Sequence, residues 1–310
     1  MIAGITKMKN DHVVNESYEK RLKQETGDVD NLLLKYLPKK DGLQKRIIDS
    51  VEYSLMAGGK RIRPIIMKET FLECGGDDKS IDLFQAAIEM IHTYSLVHDD
   101  LPCMDNDEYR RGKKTTWNVY GDDFGVLCGD ALLNYAFETA TRGFGVSEDP
   151  KLVGRALSVL AQKSGVYGML GGQTVDVELT GKPVSAEQLD FTYRLKTGAL
   201  IEGSMMIGAI LAGADDDIIS LSEQIAARVG MAFQIRDDIL DVTSTPETLG
   251  KPVFSDEKNM KTTYVTLYGL DAAQARVEKL MSEADNMLKD MPGDTGFLSY
   301  IFELLVYRKK

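Results

Sequence analysis

Hydrophobic positions along this chain recur at the three-to-four-residue step of an amphipathic helix, and the alternation that marks strands is nearly absent. The stretch IIDSVEYSLMAGG keeps the helical rhythm and stops at Gly58-Gly59, a common C-terminal signal. Pro64 then stands where a first helical turn tolerates it and opens PIIMKETFLECGG, which again ends on paired glycines. SIDLFQAAIEMIHTYSLVHDD runs on to Pro102, which cannot continue a regular helix. DALLNYAFETATRGFG and DPKLVGRALSVLAQKSG follow in the same rhythm. So do VSAEQLDFTYRLKTGALIEGSMMIGAILAG, with a Ser185/Gln188 capping-box pattern, IISLSEQIAARVGMAFQIRDDILDV and DAAQARVEKLMSEADNMLKDM.

These segments are too apolar to be surface helices alone, so the pattern predicts a layered helical bundle around a shared core. No fixed-period repeat, low-complexity linker or shift in composition marks a boundary. The expectation is one all-α domain over 1–310, with about residues 1–25 less ordered. Two stretches resist the helical reading, Pro102 to Asp122 and Thr243 to Lys261. Both are long for ordinary connections, and long loops carry function more often than filler.

Composition narrows the function classes. With 310 residues and 43% hydrophobic content the chain can bury a full core. A net charge of −11 and a pI near 4.9 argue against a nucleic-acid binder or a sensor of acidic membranes. An anionic ligand stays open, because only the local field at a site matters. Cys74, Cys103 and Cys128 form no CxxC pair, which fits a reduced compartment. No apolar run approaches the roughly 20 residues of a membrane span, and the N-terminus lacks a signal-peptide core. A cytoplasmic protein that is not an integral membrane protein is expected.

Residues 98–108, HDDLPCMDNDE, hold five acids in eleven positions. Asp99 and Asp100 close a helix, and Pro102 forces a bulge before Asp105 returns. A second group sits at the end of another apolar helix, in FQIRDDILD. Asp237 and Asp241 are four apart and share a helical face, a like-charge pair costing roughly 0.2–0.5 kcal/mol unless neutralised. Asp238 adds to the load. Hard oxygen ligands of this kind suit Mg²⁺, which takes one or two carboxylates and completes its shell with water and phosphate oxygens. There is no DxDxDG loop of the EF-hand type.

Carboxylate-bound Mg²⁺ wants a phosphate partner, and bases are at hand. GGKRIRP supplies Lys60, Arg61 and Arg63 beside a helix start, a reasonable anion site. RRGKK supplies Arg110 and Arg111, whose planar forks can grip phosphate oxygens in pairs. Lys196-Thr197-Gly198 interrupts an apolar helical stretch, and Lys251 and Lys261 punctuate the second long loop. Arg61 and Lys114 are read as solvated surface charges.

The landmarks GGKRIRP, HTYSLVHDDLPCMDND, RRGK, GDALL, GMLGGQ with Asp176, KTGAL, FQIRDDILD and LGK, in this order from about residue 40 onward, resemble those of the trans-prenyltransferases that build short-chain isoprenyl diphosphates. Within that family they are most similar to the bacterial farnesyl diphosphate synthases. The resemblance implies an all-α bundle around a deep central cavity, a homodimer, and head-to-tail condensation of isopentenyl diphosphate with an allylic diphosphate. It implies that Asp99, Asp105 and Asp237 bind a cluster of three Mg²⁺ ions, with Asp100, Asp238 and Asp241 completing the two acidic motifs. Arg110, Lys196, Lys251 and Lys261 would hold the allylic diphosphate. Lys60, Arg63, His92 and Arg111 would hold isopentenyl diphosphate. Thr197 and Gln234 would line the space around the allylic cation and, with Lys196, form the catalytic set. His98 is expected to be structural.

Tyr94 lies five residues before Asp99, about 7.5 Å deeper along a helix axis. An aromatic ring there, with Ser95 beside it and the two extra residues of DDLPCMD, resembles the farnesyl-producing bacterial type and would stop a growing chain. Trp117 departs from the histidine common in bacterial relatives, and Met260 from the glycine usual before the lysine at 261. Three rival readings remain: a geranylgeranyl diphosphate synthase, a terpene cyclase, and a non-catalytic regulatory subunit of a partner synthase.

Overall fold

The computed structural model describes residues 2–243 and 262–307, and these are almost entirely helical. By internal contacts the chain divides into two compact units, 1–68 with 78–157, and 69–77 with 158–310. Neither is contiguous in sequence, so no change in composition marks the division. No described helix is long and apolar enough to cross a membrane.

The first unit contains α1 (Ile2–Tyr36), α2 (Lys45–Leu55), α3 (Ile62–Glu73) up to Lys68, and α4 (Ile81–Asp99). It continues through β1 (Tyr109–Arg110), β2 (Lys113–Lys114), α5 (Thr116–Tyr120), α6 (Asp122–Thr141), and α7 (Pro150–Ser164) up to Leu157. Thus α1 passes through the segment expected to be less ordered, and Pro64 sits in the first turn of α3 as anticipated. The stretch from Pro102 to Asp122 folds as a two-strand hairpin and a short helix rather than a plain loop.

Helix α4 is buried on most of its circumference. Phe84, Ile88, Met90 and Ile91 are fully enclosed, and α6 packs along it through Leu132, Ala136 and Ala140. Burying a side chain of that kind contributes about 1.5–3 kcal/mol.

Arg61 corrects the sequence reading. It is 2% exposed, not solvated. Its Nε donates to Asp30 of α1 at 2.9 Å, Nη1 to the buried Glu89 of α4 at 2.8 Å, and Nη2 to the Leu55 carbonyl at 2.7 Å. Its backbone is left-handed, φ +51°, an uncommon conformation for a residue with a side chain. Three acceptors from three elements hold it there. Lys114, by contrast, is exposed.

The second unit holds α8 (Met169–Leu179), α9 (Ala186–Thr192), a π-helical turn at Tyr193–Gly198, α10 (Ala199–Leu211), α11 (Asp216–Thr243), α12 (Tyr264–Tyr268), α13 (Leu270–Leu288) and α14 (Gly296–Val306). The Ser185/Gln188 capping box is formed with both of its bonds. Helix α10 is enclosed and apolar on nearly every side, as a core helix requires, with Glu202 its one charged residue. Gly230 of α11 lets two backbones meet: a Cβ there would lie 2.7 Å from the Gly198 Cα. On α13 the buried stripe Ala273, Val277, Leu280, Met281, Ala284, Leu288 keeps the helical period. Lys163 bonds the buried Glu202 and reaches Glu223 at 2.6 Å.

Removing one member of a buried ion pair leaves the other uncompensated. Arg61→Met, which strips the Arg61 bond from Glu89, is expected to cost roughly 3–5 kcal/mol in urea unfolding; a loss below about 1 kcal/mol would show the pair to be dispensable.

Candidate active site

In the first unit α4 ends at Asp99 and the chain folds back on itself. The Asp105 amide donates to the Asp99 carbonyl at 2.9 Å, the Asn106 amide to that of Leu101 at 3.1 Å, and the Asp107 amide to that of Asp100 at 3.2 Å. Asn106 takes φ +55° to make the turn. The four residues between Asp100 and Asp105 therefore return Asp105 to the level of Asp99. Asp105 is exposed and Asp99 half-buried.

Asp100 behaves differently. It is 4% exposed, and its Oδ1 accepts both Nε and Nη2 of Arg110, at 2.7 and 2.6 Å. Burial raises its pKa from the ordinary value, against the opposing pull of Arg110.

RRGK is a tight hairpin in which Tyr109 pairs with Lys114 and Arg110 with Lys113. The two turn residues, Arg111 and Gly112, have φ +53° and +75°. Positive φ at both central positions is the signature of a type I′ turn, where asparagine or glycine is the usual first residue. An arginine there projects its guanidinium from a strained backbone position, a feature that clusters at functional sites.

The hairpin docks on the C-terminal end of α2, where carbonyls face outward. Arg111 donates to the Gly58 carbonyl, Lys113 reaches that of Met56 at 3.4 Å, and the Tyr53 hydroxyl donates to the Lys114 carbonyl at 2.7 Å. A Cβ on Gly59 would come within 2.5 Å of the Arg111 Nη1, and its φ of +137° is a conformation side chains rarely adopt. Trp117 joins the same loop by donating Nε1 to the Asp107 carbonyl at 2.9 Å.

Arg63 and His92 complete this basic face. Burial brings the Arg63 pKa down to about 10, and its Nε is enclosed without a hydrogen-bond partner. An enclosed donor of this kind fits an anion. Burial, then Arg63, Arg111, Arg110 and Arg61 in turn, push the His92 pKa well below its ordinary value, so the imidazole is neutral. Lys60 is exposed on the adjoining turn. Ser95 donates to the His92 carbonyl at 2.9 Å, and Tyr94 is 6% exposed within α4.

In the second unit an open cavity of about 110 Å³ is lined by Asp176, Tyr193, Lys196, Thr197, Gln234 and Asp238, among others. Lys196 donates to Asp176 at 2.6 Å, and the Thr197 hydroxyl donates to the Gln234 amide oxygen at 2.8 Å. Both residues lie in the π turn, a widened helix turn frequent at functional sites. A Cβ on Gly172 would lie 2.2 Å from the Lys196 nitrogen, so α8 approaches that turn through a glycine. Asp238, 3% exposed, accepts the Tyr193 hydroxyl at 2.6 Å and the Tyr264 amide at 2.8 Å on one oxygen. Asp237 is half-buried and Asp241 buried.

Tyr193 and Asp176 were not singled out as site residues by sequence reasoning. An aromatic hydroxyl three residues before Lys196 was the available signal for the first. Lys251 and Lys261, and Met260, lie outside the described residues. Among the described residues no three His, Cys, Asp or Glu side chains group so as to hold a metal ion alone. An ion that needs one or two carboxylates and draws its other ligands from water and phosphate still fits the oxygen-only donors Asp99 and Asp105.

A family model described as polyprenyl synthetase matches residues 44–294. The chain belongs to the polyprenyl synthetase family. It is 41% identical over 293 residues to a farnesyl diphosphate synthase of Geobacillus stearothermophilus, covering 94% of this chain and 98% of that one. It is 43% identical over 258 residues to a geranylgeranyl diphosphate synthase of Cyanophora paradoxa, covering 83% and 85%. A solved geranyltransferase from Helicobacter pylori, complexed with magnesium and isoprenyl diphosphate, matches at TM-score 0.78 and 28% identity over 93% of this chain and 96% of that one. This polyprenyl synthetase is an all-α prenyltransferase of the short-chain trans type.

The neutral His92 sets a pH dependence. Unfolded histidine takes a proton near pH 6.5 while the folded imidazole does not, so stability falls as pH drops below about 6.5. His92→Gln should flatten the change in urea midpoint between about pH 7.5 and 5.5. An unaltered slope would show that His92 protonates freely in the fold.

Proposed function

We propose that this prenyltransferase condenses isopentenyl diphosphate head-to-tail with dimethylallyl or geranyl diphosphate and makes farnesyl diphosphate, using Mg²⁺. The observation that carries the reading is the meeting of acids and bases in the first unit. Arg110 binds Asp100 directly, and with Arg63 and Arg111 it lowers the pKa of His92. Such a face suits two anions handled beside hard-ion ligands.

In this reading Lys60, Arg63, His92 and Arg111 take the isopentenyl diphosphate. Neutral His92 donates a ring N–H without adding charge, while the guanidiniums supply the field. Arg110 takes the allylic diphosphate, and Lys196, Lys251 and Lys261 are assigned to the same diphosphate from the motifs alone.

On the motifs alone, Asp99, Asp105 and Asp237 are assigned to Mg²⁺, with Asp100, Asp238 and Asp241 completing the two acidic motifs. Bound Mg²⁺ would neutralise charge developing on the departing diphosphate. The relative from Helicobacter pylori was solved with magnesium and isoprenyl diphosphate, which supports that choice of ion and ligand. The Thr197 hydroxyl orients the Gln234 amide oxygen, a fixed dipole that favours an allylic cation without a nucleophile strong enough to capture it. A homodimer belongs to the same reading on the resemblance alone.

Farnesyl as the product rests on Tyr94, a buried ring about one and a half turns below Asp99. The farnesyl-making relative matches almost end to end, which supports it. Geranylgeranyl diphosphate is the second reading, favoured by relatives of similar identity that bear that name.

Incubation with Mg²⁺, isopentenyl diphosphate and each allylic diphosphate, followed by chain-length analysis, tests both. A C15 main product is expected, with turnover lost on chelation by EDTA. C20 as the main product would overturn the farnesyl reading. Tyr94→Ala should lengthen the product; an unchanged distribution would remove Tyr94 as the floor.

A further inference from the structure

His98, next to the acidic end of α4, makes contacts that diphosphate binding does not require. Its ring meets Tyr94 edge to face, with centroids 5.8 Å apart and planes inclined by 80°. Its far side rests on α6. Nε2 lies 3.0 Å from the Val126 carbonyl oxygen, a bond that needs the proton on Nε2. The Asp130 carboxylate lies 3.9 Å from the same nitrogen.

Gly129 explains how the ring fits. A Cβ at that position would lie 2.0 Å from Nε2 and 2.2 Å from Cδ2. The imidazole therefore occupies the volume that any other residue at 129 would fill. It is wedged between the α6 backbone and Tyr94, with a hydrogen bond fixing its rotation.

Tyr94 is 6% exposed, and it has His98 as its aromatic neighbour one turn on. Edge-to-face pairs have a preferred geometry, and losing one ring frees the other to tilt into the space left behind.

We propose that His98 is a positioning residue for product length. By bracing Tyr94 against the α6 backbone at Gly129, it holds the tyrosine ring across the path of the growing chain. The inference rests on the reading of Tyr94 as the floor. Product length is a competition between release and another round of condensation, so a floor that tilts more easily shifts the ratio toward the longer product.

The test compares products of the wild type, His98→Ala, His98→Asn, Tyr94→Ala and the double variant Tyr94→Ala/His98→Ala, each given Mg²⁺, isopentenyl diphosphate and geranyl diphosphate. Both His98 variants should raise the ratio of the next-longer product to the main product by roughly two- to tenfold, the span of an aromatic pair's contribution. His98→Asn keeps a donor for Val126 and guards against misfolding of the alanine variant. The double variant should give no longer product than Tyr94→Ala alone. If Tyr94→Ala lengthens the product and neither His98 variant does, the brace is overturned and the floor stands. If Tyr94→Ala changes nothing, the floor fails and the brace falls with it. Additive lengthening in the double variant would also overturn the proposal, since His98 would then act on the chain without Tyr94.

Discussion

The first unit depends on one buried cation. Arg61 ties α1, the end of α2 and the middle of α4 through Asp30, the Leu55 carbonyl and Glu89. Taking a charge out of water costs several kcal/mol, and a guanidinium accepts that position only when its donors are matched. The matching also serves its surroundings. Glu89 favours the charged forms of Arg63 and Arg111 against burial and the neighbouring guanidiniums. A basic face aimed at anions is thus kept tolerable in their absence by a carboxylate set beneath it.

A parallel economy appears in the two acidic motifs. Each has a member turned inward onto a protein donor: Asp100 gripped by Arg110, Asp238 by Tyr193 and the Tyr264 amide. Adjacent carboxylates repel one another, and committing one to a protein donor relieves that repulsion locally. It also fixes the backbone from which Asp99 and Asp237 project.

The helices were legible because their apolar periods are long and their ends carry glycine, proline or a capping box. Ser185 and Gln188 announce α9 by chemistry that needs no tertiary partner. The motifs were legible as residue types in order. Their geometry was not. Arg61 stands in a run of bases, and only tertiary packing decides which of them goes inward. The RRGK hairpin hid because its type I′ turn begins with arginine rather than asparagine. The π turn showed only as the polar interruption Lys196-Thr197-Gly198, because nothing in YRLKTG tells a widened turn from an ordinary one. The start of α6 at Asp122 was missed because Gly125 and Gly129 take buried positions there while the apolar Val126 and Leu127 face outward, which blurs the period.

That π turn has a mechanical meaning. A widened turn is an α-helix carrying one residue more than its hydrogen-bond ladder needs. Here the surplus falls at Lys196 and Thr197, between Gly172 on one side and the Gly198–Gly230 contact close behind. The helix could shed a residue at this point and knit into a regular rod. Because the widened turn already absorbs the extra residue, the side chains beyond it would keep nearly the same bearing around the axis. The segment thus acts as a vernier. It separates the register of the core helix α10 from that of Lys196 and Thr197, so the two can be set independently within one continuous helix.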